Sequence, residues 1–85
     1  LGLSGQKEIT FRIFPNPASD LVYIESDQLI SRIEILQMSG IRVLLGQDET
    51  AYSLGVDVSA LPPGLYLVQI FLEGGERASM KLVIN

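Results

Sequence analysis

Apolar and polar positions alternate along most of this chain, with the period of two that sends successive side chains to opposite faces of a strand. From Glu8, residues Ile9, Phe11 and Ile13 share one side, and Thr10 and Arg12 the other. Leu21 to Ser26 carries the β-branched and aromatic residues Val22, Tyr23 and Ile24 and predicts a second strand. Asp27-Gln28 reads as a turn. Ile30 to Gln37 alternates again, Ile33 and Ile35 inward and Arg32 and Glu34 outward, with Leu36 breaking the pattern. Met38-Ser39-Gly40 predicts a tight hairpin turn with Gly40 where φ turns positive. Ile41 to Leu45 returns, with Ile41, Val43 and Leu45 on one face, and Gly46 to Thr50 is a polar loop. Tyr52 to Val58 places Leu54, Val56 and Val58 at period two. Leu65 to Glu73 reads as the longest strand, apolar on both faces at its start, which suggests a central or fully covered position. Gly74-Gly75 turns the chain into Arg77 to Ile84, where Ala78, Met80, Leu82 and Ile84 oppose Arg77, Ser79 and Lys81.

No segment sustains a helical period. About seven short strands with turn signals every ~8–12 residues predict an all-β fold, an immunoglobulin-like antiparallel sandwich. Two packed sheets are expected from the amount of apolar surface, since a single sheet would leave one face uncovered. The predicted inward set is Ile9, Phe11, Ile13, Val22, Ile24, Ile33, Ile35, Val43, Val56, Val58, Tyr66, Val68, Ile70, Met80 and Leu82. Leu1 to Lys7 lacks period and contains Gly and Ser, the composition of a linker end, so the domain is expected over residues 8–85. The chain does not begin with Met, which suggests a piece of a longer protein with any export signal upstream.

Composition then narrows the chemistry. A chain of 85 residues forms one small domain, and a 47% hydrophobic content with mean hydropathy +0.33 gives it a rich core. It has neither Cys nor His. Disulfides, Ser-His-Asp or Cys-His catalysis and His/Cys zinc sites are therefore excluded. A catalytic pair or calcium site at the adjacent acids Asp48-Glu49 is weaker than a solvated turn, because neighbouring side chains in an extended chain point apart. No enzyme activity, cofactor or metal is expected. The net charge of −4 disfavours nucleic acid and anionic membrane surfaces, and no apolar run is long enough for a membrane-spanning helix.

Two corners and the last strand stand out. Pro15 and Pro17 each fix φ and remove a backbone donor, so neither flanking strand can run through Pro15-Asn16-Pro17, and Asn16 can hydrogen-bond locally to close the corner. Tyr66, just past Gly64, resembles a tyrosine corner whose hydroxyl bonds to backbone upstream, a fold-supporting role that outweighs a binding role. A C-terminal strand at a sheet edge would offer free N–H and C=O groups to a partner strand. Lys81 is then either a gatekeeper against such pairing or a charge that a partner reads.

Four motifs occur in order. They are Phe14-Pro15-Asn16-Pro17 with the strand Leu21-Val22-Tyr23-Ile24 behind it, and Ile33-Glu34-Ile35-Leu36-Gln37-Met38-Ser39-Gly40 in the middle. Asp57-Val58-Ser59-Ala60-Leu61-Pro62-Pro63-Gly64-Leu65-Tyr66 follows, and Lys81-Leu82-Val83-Ile84-Asn85 ends the chain. Together they resemble the C-terminal sorting domain of the type IX (Por) secretion system of Bacteroidetes, over essentially Glu8 to Asn85. The third motif matches the family pattern Asp-Val-Ser-x-Leu-x-x-Gly-x-Tyr at every specified position. Two departures are Leu36-Gln37-Met38, where the family often has Asp or Asn, and Asn85, where many members end in a basic residue.

The resemblance implies a delivery address without chemistry of its own. Such a domain is carried behind an N-terminal passenger through the periplasm. Outer-membrane type IX translocon components recognise it and export the chain to the cell surface or medium. A sortase-type protease commonly removes the domain and can attach the passenger to anionic lipopolysaccharide; the cut would fall in or just before Leu1 to Lys7. Lys81, Leu82, Val83, Ile84 and Asn85 with the adjoining sheet edge are the expected contact with the machinery, without insertion into the membrane. Pro15, Asn16, Pro17, Gly40, Asp57, Leu61, Gly64 and Tyr66 are expected to hold that surface in shape. An open edge also offers a route to self-association by mutual strand addition. The competing reading is a structural or adhesive immunoglobulin-like module, a spacer or a weak glycan or protein binder. Only Tyr23, Tyr52 and Phe71 are candidates for an aromatic platform.

Overall fold

A computed structural model describes residues 10–45 and 50–85. Six strands appear among them: β1 (Phe11–Phe14), β2 (Leu21–Gln37), β3 (Arg42–Leu45), β4 (Ala51–Asp57), β5 (Gly64–Leu72) and β6 (Arg77–Ile84). All named pairings are antiparallel, so the all-β class stands.

The architecture turns on β2, which at 17 residues is nearly twice the length of β5. Its first half pairs with β1 on one side and β4 on the other. Its second half pairs with β5 and β3, and β6 lies beyond β5. Asp27-Gln28 therefore lies inside a strand and is not the turn that the sequence predicts there. These residues mark the place where β2 changes partners. The ladder to β4 is irregular between Glu25 and Ile30, and the ladder to β5 shifts register between Ile30 and Arg32. An inserted residue reverses the inside-outside alternation. Accordingly Val22, Ile24 and Ile30 are buried before the shift, and Ile33 and Ile35 after it.

In place of the expected sandwich of about seven strands, the described residues form one six-stranded, hydrogen-bonded sheet that curls around a single core. Strands that pass from one layer to another through a bulge or bend are a known way to make such corners. The core is almost wholly aliphatic, with Val22, Ile24, Ile30, Ile35, Val68, Ile70 and Leu82 fully shielded from solvent. Burying each such side chain contributes ~1.5–3 kcal/mol. Of the predicted inward set, Phe11, Val43 and Met80 are only partly buried, and Ile9 lies outside the described residues. Ala18, Ile30, Leu54, Leu72 and Ile84 join the core in addition.

The hairpins at Met38-Ser39-Gly40 and Glu73-Gly74-Gly75 are built alike. Gly40 N donates to Gln37 O and Gln37 N to Ile41 O; Gly75 N donates to Leu72 O and Leu72 N to Glu76 O. Gly40 (φ 97°) and Gly75 (φ 94°) occupy the left-handed position that closes a three-residue loop. The linker Leu1 to Lys7 and the Asp48-Glu49 pair lie outside the described residues.

Candidate functional site: the C-terminal strand and its corners

Strand β6 is hydrogen-bonded to β5 along one edge, from Phe71↔Arg77 to Gly64↔Ile84. Its other edge was expected to be open. At its C-terminal end it is occupied. Asn16 Nδ2 donates to Lys81 O (3.1 Å), and Asn16 Oδ1 accepts from Val83 N (3.0 Å). Ala18 N donates to Val83 O and Ala18 O accepts from Asn85 N, both at 2.8 Å. One side-chain amide and one backbone residue thus do the work of a short neighbouring strand, and Ala18 forms a parallel bridge with Ile84. The sequence accounts for this. Pro15 and Pro17 have no N–H to place at the corner, so the carboxamide of Asn16, with a donor and an acceptor side by side, supplies both. Both X–Pro bonds are cis.

This geometry corrects two expectations. The main-chain groups from Lys81 O to Asn85 N are not free for a partner strand, so self-association by strand addition is closed along that stretch. Leu82 and Ile84 are buried in the core. The folded domain therefore presents Lys81, Val83 and Asn85, with Val83 39% exposed.

The second corner uses each of its named residues in turn. Asp57 Oδ1 accepts hydrogen bonds from Ser59 Oγ (2.6 Å) and Ser59 N (2.9 Å). The Ser59 hydroxyl first, and its backbone N–H second, hold the Asp57 carboxyl below its ordinary value of 3.8. Val58 is buried, its N–H donates to Asp20 O, and Leu61 N donates back to Val58 O. Leu61 packs against the core. The buried Tyr66 donates its hydroxyl to Pro62 O at 2.6 Å, as a tyrosine corner should. A Cβ on Gly64 would meet the Tyr66 ring.

The aromatic candidates do not make a platform. Tyr23 leans against Phe14 with ring centroids 5.8 Å apart and covers Gly55, while Phe71 lies beneath the Arg32 guanidinium, 4.2 Å from its centroid. Tyr52 is exposed elsewhere on β4. A shallow open depression of about 200 Å³ is lined by Thr10, Phe11, Arg12, Glu25, Ser26 and Asp27. Its two acids are engaged: Glu25 Oε1 accepts from Arg12 Nε and Nη2, and Asp27 Oδ1 from Thr10 N. Among the described residues no buried side-chain polar atom lacks a partner.

The first corner thus fixes the C-terminal strand in the sheet, and the second closes the connection from β4 to β5. The family model for the secretion system C-terminal sorting domain matches residues 12–85. The chain belongs to this family. As a sorting domain it is a C-terminal signal for type IX secretion. It works with that secretion machinery on a passenger domain, and its destination is the cell surface or the extracellular space. No curated protein and no solved structure matches the chain.

Sequence reasoning placed Pro15, Asn16 and Pro17 at a corner but missed what the corner touches. The partners of Asn16 are 65 and 67 residues away, beyond the reach of any local pattern. Ala18 gave no signal at all.

Proposed function

We propose that this sorting domain is a delivery address without chemistry of its own, read in its folded state through the outward side chains of β6. The observation that carries this reading is the Asn16–Ala18 clamp on Lys81–Asn85. A partner meets side chains there, because the main-chain groups it would otherwise pair with are occupied. The absence of Cys and His, and the engaged acids of the one described depression, favour a signal over an enzyme.

In this proposal the domain travels with its passenger through the periplasm. The outer-membrane translocon recognises it, and a sortase-type protease removes it by cutting in or before Leu1 to Lys7. The residues that act are Lys81, Val83 and Asn85. Leu82 and Ile84 act from inside, holding the strand down.

Truncating the strand would not test this, since it removes two core residues. The test is a periplasmically exported reporter fused to residues 1–85, carrying Lys81→Glu or Val83→Ser, in a type IX-competent host. Each variant should fold as the parent does and leave the reporter in the periplasm. Secretion at the parent level by both variants would end the proposal for β6.

A further inference from the structure

The outer face of the β2–β5–β6 half is a second feature of this surface. Residues directly opposite one another on neighbouring strands share a face. Read from the free end, the rows are Leu65–Val83, then Leu36–Leu67–Lys81, then Glu34–Gln69–Ser79, then Arg32–Phe71–Arg77. Leu65 and Val83 are 43% and 39% exposed, and Leu36, Leu67 and Phe71 are half-buried beside them. The charges on these rows are Arg32, Arg77 and Lys81 against Glu34 alone. The Glu34 carboxylate is buried and pairs with Arg32 at 3.3 Å. The solvent-facing charge is therefore positive, on a chain whose net charge is −4. The other described acids lie off the face: Glu73 and Glu76 at the β5–β6 turn, and Asp20, Glu25, Asp27 and Asp57 at the β1–β2–β4 half.

We infer that this face, and not the end of β6 alone, is the docking surface, and that its partner is a protein surface bearing an apolar pocket rimmed by carboxylates. Leu65 and Val83 would fill the pocket. Lys81 and Arg77, set along one strand on the same side, would meet the rim. Burying apolar anchors supplies affinity, and opposite charge around them supplies orientation and selectivity. Cations segregated onto one face of an acidic domain also steer encounter with an acidic partner. This inference rests on the sorting reading and widens its site to β5 and the far end of β6.

The test uses the same secreted reporter fusion, with Leu65→Glu, Leu65→Ser, Arg77→Glu and the charge-keeping Arg77→Lys, each checked by thermal melting for a folded domain. Leu65→Glu and Arg77→Glu should each lower the secreted fraction by about tenfold or more, Leu65→Ser by less, and Arg77→Lys should match the parent. If the Leu65 variants and Arg77→Glu are secreted like the parent while Lys81→Glu is retained, the inference is overturned and the narrower β6 reading survives. If Lys81→Glu and Val83→Ser are also secreted, that reading falls with it. Flotation of the purified domain with vesicles of phosphatidylcholine and phosphatidylglycerol separates the other anionic source. No binding is expected at about 0.15 M salt. Binding that Arg77→Glu abolishes would assign the face to lipid headgroups and overturn the protein partner.

Discussion

Asn16 carries more of this architecture than its size suggests. Its carboxamide makes two hydrogen bonds to β6, each worth about 0.5–1.5 kcal/mol net. Asn16→Ala should therefore destabilise the domain by about 1–3 kcal/mol and speed hydrogen exchange at the Val83 amide selectively. Uniform loss of protection across β5 and β6 would argue against a local clamp. Asp57 makes a pH-dependent contribution. Its folded pKa lies below the ordinary 3.8, so the charged form is favoured by folding. That stabilisation is present above the unfolded value and is lost as pH falls through the folded one. Urea midpoints followed from about pH 6 to about pH 3 should fall more steeply for the parent than for Asp57→Asn. Parallel curves would show that Ser59 does not hold the carboxylate in solution. These residues were legible to different degrees. Tyr66 and Gly40 announced themselves because corners and tight turns have local chemistry. Asn16 announced only a bend, because its partners are remote in sequence.

At the scale of elements, period two located the strands and failed where a strand changes partners. Leu21–Ser26 and Ile30–Gln37 read as two strands with Asp27-Gln28 as a turn between them, and the inward parity differs between the two. The structure has one strand, β2, with a register shift that makes the same switch. Alternation cannot distinguish a turn from a bulge, since both reset the face. β5 read as central, and it is, between β2 and β6, although Leu65 at its start stays exposed. The two hairpins were legible through glycine, and they make a paired prediction. No atom lies within 4 Å of a Cβ built on Gly40 or Gly75, so substitution there meets backbone cost alone. Gly40→Ala and Gly75→Ala should each cost about 1 kcal/mol, by denaturant titration. A neutral result at either position would show that the loop can relax out of the left-handed conformation.

For the whole molecule, a curled sheet wraps an aliphatic core and holds its C-terminal strand capped by Asn16 and Ala18. The family motifs that identify the sorting domain combine exposed positions, such as Pro15, Asn16, Asp57 and Gly64, with the buried Tyr66. Pro15, Asn16, Asp57, Leu61, Gly64 and Tyr66 shape the corners, and Lys81, Val83 and Asn85 face outward. Family membership is legible in the sequence sooner than geometry. The motif spacing is local, whereas the face that they hold in place is assembled from β2, β5 and β6. The most direct measurement is the fate of an exported reporter fused to residues 1–85 in a type IX-competent host. The account predicts that the reporter reaches the cell surface or the medium, while the same reporter without the domain stays in the periplasm. A fusion that remains in the periplasm with its domain folded would contradict it.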